Sequence, residues 1–273
     1  MFNKRNIQAN QQYWLAFMAL ILLSSFIILR KQHDKPTLFA IGDSTVKNGR
    51  GKGDGGLWGW GNYIAGFFDT TKIRVENDAL GGTSSRTFQT KGLWDSVLHK
   101  LKPGDYVLMQ FGHNDSSPLD DTARARGTIK GNGEELKEIY NPITKKQEVV
   151  HTYGWYIRKF INDTKAKGAT AIVLSPIPRN SWKETKVNRA SDNYGKWAAE
   201  AAAQSGVLFV DLNKIIADHY DAEGQEKVNK TYFTTTDNTH TSEAGARLNA
   251  ASVVEGIKLV KDCPLNKYLV AGK

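Results

Sequence analysis

Short apolar runs alternate with helical patterns along the chain after residue 36. Five runs are rich in apolar and β-branched residues and are bounded by Gly, Pro, Asp or Asn; they cover residues 37–41, 73–76, 106–110, 171–174 and 208–210. Helical spacing of apolar residues appears at 63–68 and 93–101, and over longer stretches at 153–167, 192–205 and 242–261. Strands buried on both faces, with helices between them, predict an α/β protein: a three-layer α/β/α sandwich around a five-stranded parallel sheet.

One stretch interrupts this alternation. Residues 113–152 separate the third strand from its helix by about 40 residues, whereas βα loops usually have about 2–6. The stretch is polar and rich in glycine, with one short strand pattern at 148–150. Because ligands of open α/β sheets bind beyond the carboxyl ends of the strands, we expect it to form a wall that contacts the substrate. A solvent-exposed decoration is the alternative.

The first 36 residues differ in character from the rest. A run of 16 residues from Trp14 to Leu29 contains no charge, and basic residues flank it on both sides. This pattern is typical of an export signal, and the run is close to the shortest that spans a membrane. It lacks a clean A-x-A cleavage site and a lipobox cysteine, so a cleaved signal and an uncleaved anchor both stay open. The sequence thus predicts residues 1–36 as an export segment and 37–273 as one catalytic domain, exported to the periplasm, the cell surface or the medium.

Charge and cysteine content narrow the function classes. The 273-residue chain has a formal net charge of +9, of which residues 1–36 carry +4, leaving +5 for the remainder. The remaining basic residues alternate with acids and form no Lys/Arg run, which argues against a nucleic-acid partner. The single cysteine, Cys263, excludes an internal disulfide framework. We expect contact with a membrane only through the N-terminal segment, and the sequence carries no signal for an oligomeric state.

No cofactor or metal is predicted. Gly51 to Gly56 formally match G-x-G-x-x-G, with Glu76 at the distance expected of a ribose-binding acid. A dinucleotide site needs its first glycine at the end of the strand, but nine residues separate Ile41 from Gly51. The six histidines show no ligand spacing, and a lone cysteine cannot build a multi-cysteine site.

Polar clusters follow the predicted strands at four places. They are Gly42-Asp43-Ser44, Gly81-Gly82-Thr83-Ser84, Gly112-His113-Asn114-Asp115 and, before the last helix, Asp237-Asn238-Thr239-His240. Each cluster alone could be a turn or a helix cap. Because the carboxyl ends of parallel strands lie along one edge of the sheet, we expect these clusters to converge.

The residue types in these clusters suit acyl transfer. A serine hydroxyl such as that of Ser44 needs a base, which His240 can supply, and Asp237 can hold the imidazole in the required tautomer. A tetrahedral intermediate also needs hydrogen-bond donors for its oxyanion. The backbone N–H groups of Ser44 and Gly82 and the side-chain amide of Asn114 are candidates.

This set of blocks resembles the SGNH (GDSL) hydrolase family over about residues 37–262. The resemblance implies a flavodoxin-like fold, with Ser44 as nucleophile, Asp237 and His240 completing the triad, and Ser44, Gly82 and Asn114 forming the oxyanion hole. Within the family, Gly42-Asp43-Ser44-Thr45, Asn77-Asp78-Ala79 with Ser85-Arg86, Phe111 to Asp115 and Gly59-Trp60-Gly61 look most like rhamnogalacturonan acetylesterases, which remove acetyl groups from pectin.

The resemblance therefore implies a serine esterase that deacetylates a plant polysaccharide partner. Predicted substrate contacts are Trp58, Arg86, His113 and Trp182, whereas Trp60 begins an apolar face and is expected in the core. Three alternatives stay open: an acetylxylan esterase, a lipid or thioester esterase of the same family, and a non-catalytic carbohydrate-binding protein.

Overall fold

A computed structural model describes residues 35–272 and Met18, so the predicted export segment lies almost wholly outside the described residues. The strands are β1 Thr37–Gly42, β2 Arg74–Asn77, β3 Tyr106–Gln110, β4 Leu136–Asn141, β5 Lys146–His151, β6 Thr170–Leu174, β7 Trp182–Lys183, β8 Lys186–Val187, β9 Leu208–Val210, β10 Phe233–Thr234 and β11 Asp237–Thr241. The helices are α1 Ser85–Thr90, α2 Leu93–Lys100, α3 Tyr153–Ala166, α4 Tyr194–Gln204, α5 Leu212–Glu223, α6 Gln225–Thr231 and α7 Glu243–Leu259. Among the described residues, none of these helices is long and apolar enough to cross a membrane.

Five parallel strands form the central sheet in the order β2-β1-β3-β6-β9. This order is that of flavodoxin-like folds, and it confirms the predicted five-stranded α/β/α architecture. Gly42 at the end of β1 lies opposite Gln110 at the end of β3, so the residues that follow the two strands emerge side by side. The site described below is built at this edge.

Alternating residues of the buried strands face two separate cores. On one side, Leu38 and Ala40 of β1 and Leu108 of β3 pack with helices α5 and α7. On the other, Phe39 and Ile41 pack with α2, α3 and α4. The two-residue period of a strand places consecutive side chains on opposite faces, so a continuous apolar run fills both layers.

Three parts of the fold differ from the sequence expectations. The pattern at 63–68 forms short 3-10 turns at Trp60–Asn62 and Ile64–Phe67 instead of an α-helix, because glycines at 59, 61 and 66 weaken helix formation there. Helices α1, α5 and α6 were not predicted. Residues 113–152 contain an antiparallel hairpin of β4 and β5 where a single strand at 148–150 was expected.

Candidate active site

The turn after β1 presents Ser44. The backbone N–H groups of Val46 and Lys47 both donate to the Asp43 carbonyl, at 3.1 Å each. Gly42 permits the turn to sit tightly against the neighbouring strand, because a Cβ at that position would lie 2.5 Å from the Gln110 carbonyl oxygen and from the Val46 side chain. The turn therefore packs against the end of β3, and the Ser44 side chain remains partly exposed.

A continuous hydrogen-bond chain joins Ser44, His240 and Asp237. His240 Nε2 lies 2.7 Å from Ser44 Oγ, and His240 Nδ1 lies 2.7 Å from Asp237 Oδ2. The other carboxylate oxygen, Oδ1, accepts the backbone N–H groups of Thr239 and His240 at 2.7 and 2.8 Å. These contacts hold the carboxylate against the Nδ1 face of the ring and leave Nε2 to the serine hydroxyl.

The environment of Asp237 favours its charged form. Burial raises the pKa of this carboxyl, but the hydrogen bonds from the His240 backbone and ring and from the Thr239 amide outweigh it, so the pKa lies below its ordinary value. A carboxylate that stays ionised stabilises the imidazolium that forms when His240 takes a proton.

Strand β11 carries the Asp237–His240 pair, and it is held next to Ser44 by the segment around Trp58. The Trp58 N–H donates to the Thr241 carbonyl at 2.8 Å, and the Thr241 hydroxyl donates to the Trp58 carbonyl at 3.2 Å. The sequence pattern placed these residues in a loop before the last helix, whereas they form a short antiparallel strand with β10.

The Leu80–Thr83 turn brings Gly82 to the same edge. The Leu80 amide donates to the Gly42 carbonyl at 3.1 Å, and the Thr83 hydroxyl donates to the Leu80 carbonyl at 2.7 Å. Gly82 has φ +79°, the left-handed region that the third residue of such a turn requires and that glycine adopts without strain. A Cβ on the adjacent Gly81 would lie 3.5 Å from the Ser44 Cβ, so the turn packs directly against the serine.

The Asn114 side chain joins this turn to the third strand end. Asn114 is buried, and its Nδ2 donates to the Thr83 carbonyl at 2.7 Å. One N–H of the amide is used in this way, and the second is available to an oxygen held above Ser44. The structure therefore brings together all five residues predicted for the triad and the oxyanion hole.

A buried hydrogen-bond network holds the turn after β1 that carries Ser44. Trp60 Nε1 donates to Gln110 Oε1 at 2.8 Å, Gln110 Nε2 donates to the Thr45 hydroxyl at 2.6 Å, and that hydroxyl donates to Asp43 Oδ1 at 2.7 Å. All four side chains are buried, and Trp60 lies in the core as expected. The sequence analysis did not identify Gln110, although its position as the last residue of a buried strand is a signal for it.

A second buried carboxyl, Asp115, lies next to this network. Its Oδ1 accepts the Ser85 backbone N–H at 3.1 Å and the Ser85 hydroxyl at 2.5 Å, while Oδ2 has no partner among the described residues. Burial, assisted by the nearby Asp43 carboxylate, raises the pKa of Asp115 to about 7 in spite of the Ser85 hydrogen bonds. Asp115 is thus protonated in most molecules below neutral pH.

His113 lies between this edge and a neighbouring cavity. Burial is the main cause that lowers the pKa of His113 to about 4, with the Asp43 carboxylate opposing it and the Arg179 cation adding to it, so the His113 ring is neutral at physiological pH. One ring nitrogen bonds the Ile177 backbone, and Nε2 is buried without a partner among the described residues. The ring lines the cavity, and contact of His113 with the substrate stays a prediction.

The prediction that Arg86 binds substrate is wrong. Its side chain is fully buried, pairs with both Glu148 oxygens at 2.7 and 2.8 Å, and donates to the Leu119 and Gly127 carbonyls at 2.8 and 2.9 Å. Every contact ties helix α1 to the 113–152 insertion. Arg86 therefore anchors that insertion, and its guanidinium cannot reach a bound sugar.

The two tryptophans predicted to stack on sugars are both half-buried. Trp58 packs against Tyr63, with ring centroids 5.5 Å apart. Trp182 packs on the core, and its Nε1 donates to Asn180 Oδ1 at 2.7 Å. Their contact with a substrate stays a prediction. In the part of the chain that the structure describes, no group of three or more His, Cys, Asp or Glu side chains is arranged to hold a metal ion.

Two arginines that the sequence analysis missed border the site. Arg126, from the insertion, donates to the Gly82 carbonyl at 3.0 Å. Arg179 follows β6 and donates to the Thr239 hydroxyl and, at 3.3 Å, to the His113 carbonyl. The signal for Arg179 was its place just beyond the carboxyl end of a predicted strand.

A flavodoxin-like sheet with a Ser–His–Asp hydrogen-bond chain at its carboxyl edge is the arrangement of a serine hydrolase, and the three predicted oxyanion donors lie at the same edge. The sequence model of the GDSL-like lipase/acylhydrolase family matches residues 40–248, and the chain belongs to that family. This membership confirms the SGNH (GDSL) resemblance and makes the protein a carboxylic ester hydrolase.

Relatives that match most of the chain include proteins named as acetylesterases. A rhamnogalacturonan acetylesterase of Emericella nidulans is 31% identical over 222 residues, which cover 81% of this chain and 84% of the relative. A probable rhamnogalacturonan acetylesterase of Bacillus subtilis, YesY, is 29% identical over 81% of this chain and 92% of its own. These relatives support a carbohydrate acetylesterase of the SGNH family.

Solved structures agree with the fold. The crystal structure of YxiM from Bacillus subtilis superposes with a TM-score of 0.66 at 25% identity, covering 82% of this chain and 56% of YxiM, so the chain spans little more than half of that protein. The acetylxylan esterase Axe2 of Geobacillus stearothermophilus gives a TM-score of 0.51 at 21% identity, covering 81% of this chain and 94% of Axe2. The second comparison is evidence of the fold alone.

Proposed function

We propose that this protein is a serine esterase that removes O-acetyl groups from plant cell-wall polysaccharide, with pectic rhamnogalacturonan as the substrate. The observation that carries the proposal is the pair of 2.7 Å hydrogen bonds from Ser44 through His240 to Asp237, next to the Gly82 and Asn114 donors. The names of the relatives support an acetylated polysaccharide rather than a lipid as the substrate.

In the proposed reaction, Ser44 Oγ attacks the acetyl carbonyl carbon while His240 Nε2 takes the hydroxyl proton. The carbonyl oxygen becomes an oxyanion that accepts hydrogen bonds from the Ser44 and Gly82 N–H groups and the Asn114 amide. The C–O bond to the sugar then breaks, and His240 returns the proton to the leaving sugar oxygen. Acetyl-Ser44 remains.

Water completes the cycle. His240 takes a proton from a water molecule that attacks the acetyl carbonyl, the tetrahedral intermediate collapses, and Ser44 leaves with the proton that His240 returns. Acetate is released. Throughout, Asp237 holds the ring and stabilises its charged form, and so acts on the reacting atoms only through His240.

Replacing Ser44 with Ala tests the assignment. We expect acetate release from acetylated rhamnogalacturonan and from p-nitrophenyl acetate to fall by at least about 10⁴-fold, because the nucleophile is lost while the fold is not. A thermal melt of the variant that matches the wild type serves as the control for folding. Activity close to the wild-type level would overturn the assignment of Ser44 and favour a different nucleophile.

The same measurement separates the enzyme from a carbohydrate-binding protein without catalysis. A wild-type chain that binds acetylated pectin but releases no acetate would support the non-catalytic alternative. Comparing acetate release from acetylated rhamnogalacturonan, acetylated xylan and short-chain lipid esters then distinguishes the pectic substrate from the other two ester classes.

A further inference from the structure

A cavity of about 580 Å³ lies beside the proposed catalytic residues. Gly112 and His113, which line it, immediately precede Asn114 of the oxyanion hole. Arg179, which also lines it, contacts Thr239, the neighbour of His240. Its volume falls within the roughly 300–1,000 Å³ of small-ligand sites. A sugar chain whose acetyl group is at Ser44 can therefore extend into this space.

The cations lining the cavity are not all neutralised. Arg189 is paired with Asp218 at 2.8 Å and with Asp221 at 2.7 Å. Lys130 and Arg179, by contrast, form no ion pair with any acid among the described residues, and both side chains are exposed. Asp192 is the single acidic residue on the cavity wall. An excess of positive charge therefore faces the space next to the site.

The backbone adds to the positive charge at the cavity wall. Helix α4, Tyr194–Gln204, begins at the cavity wall, and its N-cap residue, Asn193, makes no side-chain cap hydrogen bond. The first turn of the helix carries no acidic residue. The Lys196 amide donates to the Ala190 carbonyl at 3.3 Å, so the first turn is partly satisfied, and the partial positive charge of the helix N-terminus still favours an anion.

Neutral polar groups complete the wall. Asn188, Asn193 and Ser181 line the same cavity, together with the half-buried Trp197. Amide and hydroxyl groups exchange hydrogen bonds with sugar hydroxyls, and an indole ring packs against the apolar face of a pyranose. The lining combines carbohydrate-binding groups with two cations that form no ion pair among the described residues.

We infer that this cavity binds a uronic acid residue of the polysaccharide, with Lys130 and Arg179 as the partners of its carboxylate. A guanidinium binds a carboxylate through parallel N–H···O bonds, and the lysine ammonium adds a second charge. The inference rests on the proposed function and makes it more specific: the enzyme prefers acetylated chains that carry carboxylates over neutral chains such as xylan.

Acetate release from two matched substrates tests the preference. One is an acetylated rhamnogalacturonan oligosaccharide, and the other is the same oligosaccharide with its uronate carboxyls converted to neutral methyl esters. We expect kcat/KM to be roughly tenfold higher for the charged substrate, mostly through KM, and the difference to shrink in high salt. Equal kcat/KM values for the two substrates would overturn the inference.

The substitution Lys130→Gln assigns the effect to the cavity. We expect it to lower the ratio of charged to neutral kcat/KM by roughly fivefold to tenfold. Lys261→Gln removes the same charge from an exposed position that does not line the cavity, so it is the matched control and should leave the ratio unchanged. A loss with Lys130→Gln no larger than that with Lys261→Gln contradicts the inference.

A binding measurement separates this inference from the proposed function. Calorimetric titration with a deacetylated rhamnogalacturonan oligosaccharide requires no turnover, so it reports on the cavity even if the chain releases no acetate. Binding that Lys130→Gln weakens roughly tenfold supports the carboxylate subsite, and binding unaffected by Lys130→Gln refutes it. If no substrate releases acetate, only the esterase assignment is contradicted.

Discussion

The buried Asp115 carboxyl makes the stability of the protein depend on pH in a specific way. Its pKa is raised from an ordinary 3.8 to about 7 in the fold. Between these values the folded state holds a proton that the unfolded state has released. The contribution of the protonated Asp115 carboxyl to stability is therefore fully present below about pH 4 and is lost as the pH rises through 7.

The size of the effect follows from the shift. At 1.36 kcal/mol per pKa unit, a change from 3.8 to about 7 corresponds to about 4 kcal/mol of unfolding free energy lost across this range. His113 acts in the opposite direction, because its pKa is lowered from 6.5 to about 4 in the fold. Between these values the unfolded state binds a proton that the folded state has released, so the free energy of unfolding rises with pH. The free energy of unfolding of the wild type therefore depends on pH through two opposing contributions, from Asp115 and from His113.

The substitution Asp115→Asn isolates the carboxyl. An asparagine keeps an oxygen that can accept both Ser85 hydrogen bonds, and it cannot ionise. Denaturant unfolding followed by tryptophan fluorescence, at intervals from pH 4 to pH 8, gives the free energy of unfolding for both proteins. We expect the difference between variant and wild type to move by about 4 kcal/mol in favour of the variant as the pH rises from 4 to 8.

The control is Asp120→Asn, at an exposed carboxylate of the same insertion. This variant removes a carboxylate from the surface of the same insertion, so the effect of Asp115→Asn that depends on burial is the part that Asp120→Asn does not reproduce. If Asp115→Asn also tracks the wild type at every pH, the Asp115 carboxyl is ionised in the fold at neutral pH, and the argument from its burial fails.

Further predictions concern the oxyanion hole and the insertion. Asn114→Ala should lower kcat on p-nitrophenyl acetate by about 10²–10³-fold with little change in KM, since the amide acts on the transition state; a change in KM alone would contradict this role. Gly82→Ala should cost about 1–2 kcal/mol at φ +79° and lower kcat, as measured by thermal melts and steady-state kinetics; full activity would mean that this N–H is not a donor. Arg86→Met should destabilise the fold by about 3–5 kcal/mol, because it leaves Glu148 unpaired in a partly buried position, and adding Glu148→Met should restore part of that loss in denaturant titrations.

Features set by local pattern could be predicted from the sequence. The five sheet strands lie within one or two residues of their predicted bounds, because buried parallel strands produce compact apolar runs between glycine, proline and polar residues. Ser44 and Asn114 were expected at one edge of the sheet because each lies a few residues after such a run, and the structure places both there. The Asp237 and His240 pair was found because a spacing of three residues brings an acid to an imidazole.

Features set by distant partners could not be predicted. Arg86 was predicted to contact the substrate from the family resemblance of its block, yet it pairs in the interior with Glu148, which lies 62 residues later. The hairpin of β4 and β5 was missed because its exposed positions mix charged and apolar residues, so the alternation typical of a strand is weak there. Arg179 lies in a segment with no motif of its own.

The distance along the chain between Ser44 and His240 has a consequence for folding. Their hydrogen bond closes a separation of 196 residues, and Trp58 and Thr241, whose mutual bonds hold β11 in place, are 183 residues apart. Contacts of such high sequence separation are entropically costly to close. A ribosome-bound chain lacking its last 40 residues can pair strands β1, β3 and β6 but has no base for its serine. Esterase activity therefore reports on completed folding, appearing only after the carboxyl-terminal segment has been made and has docked beside the first strand.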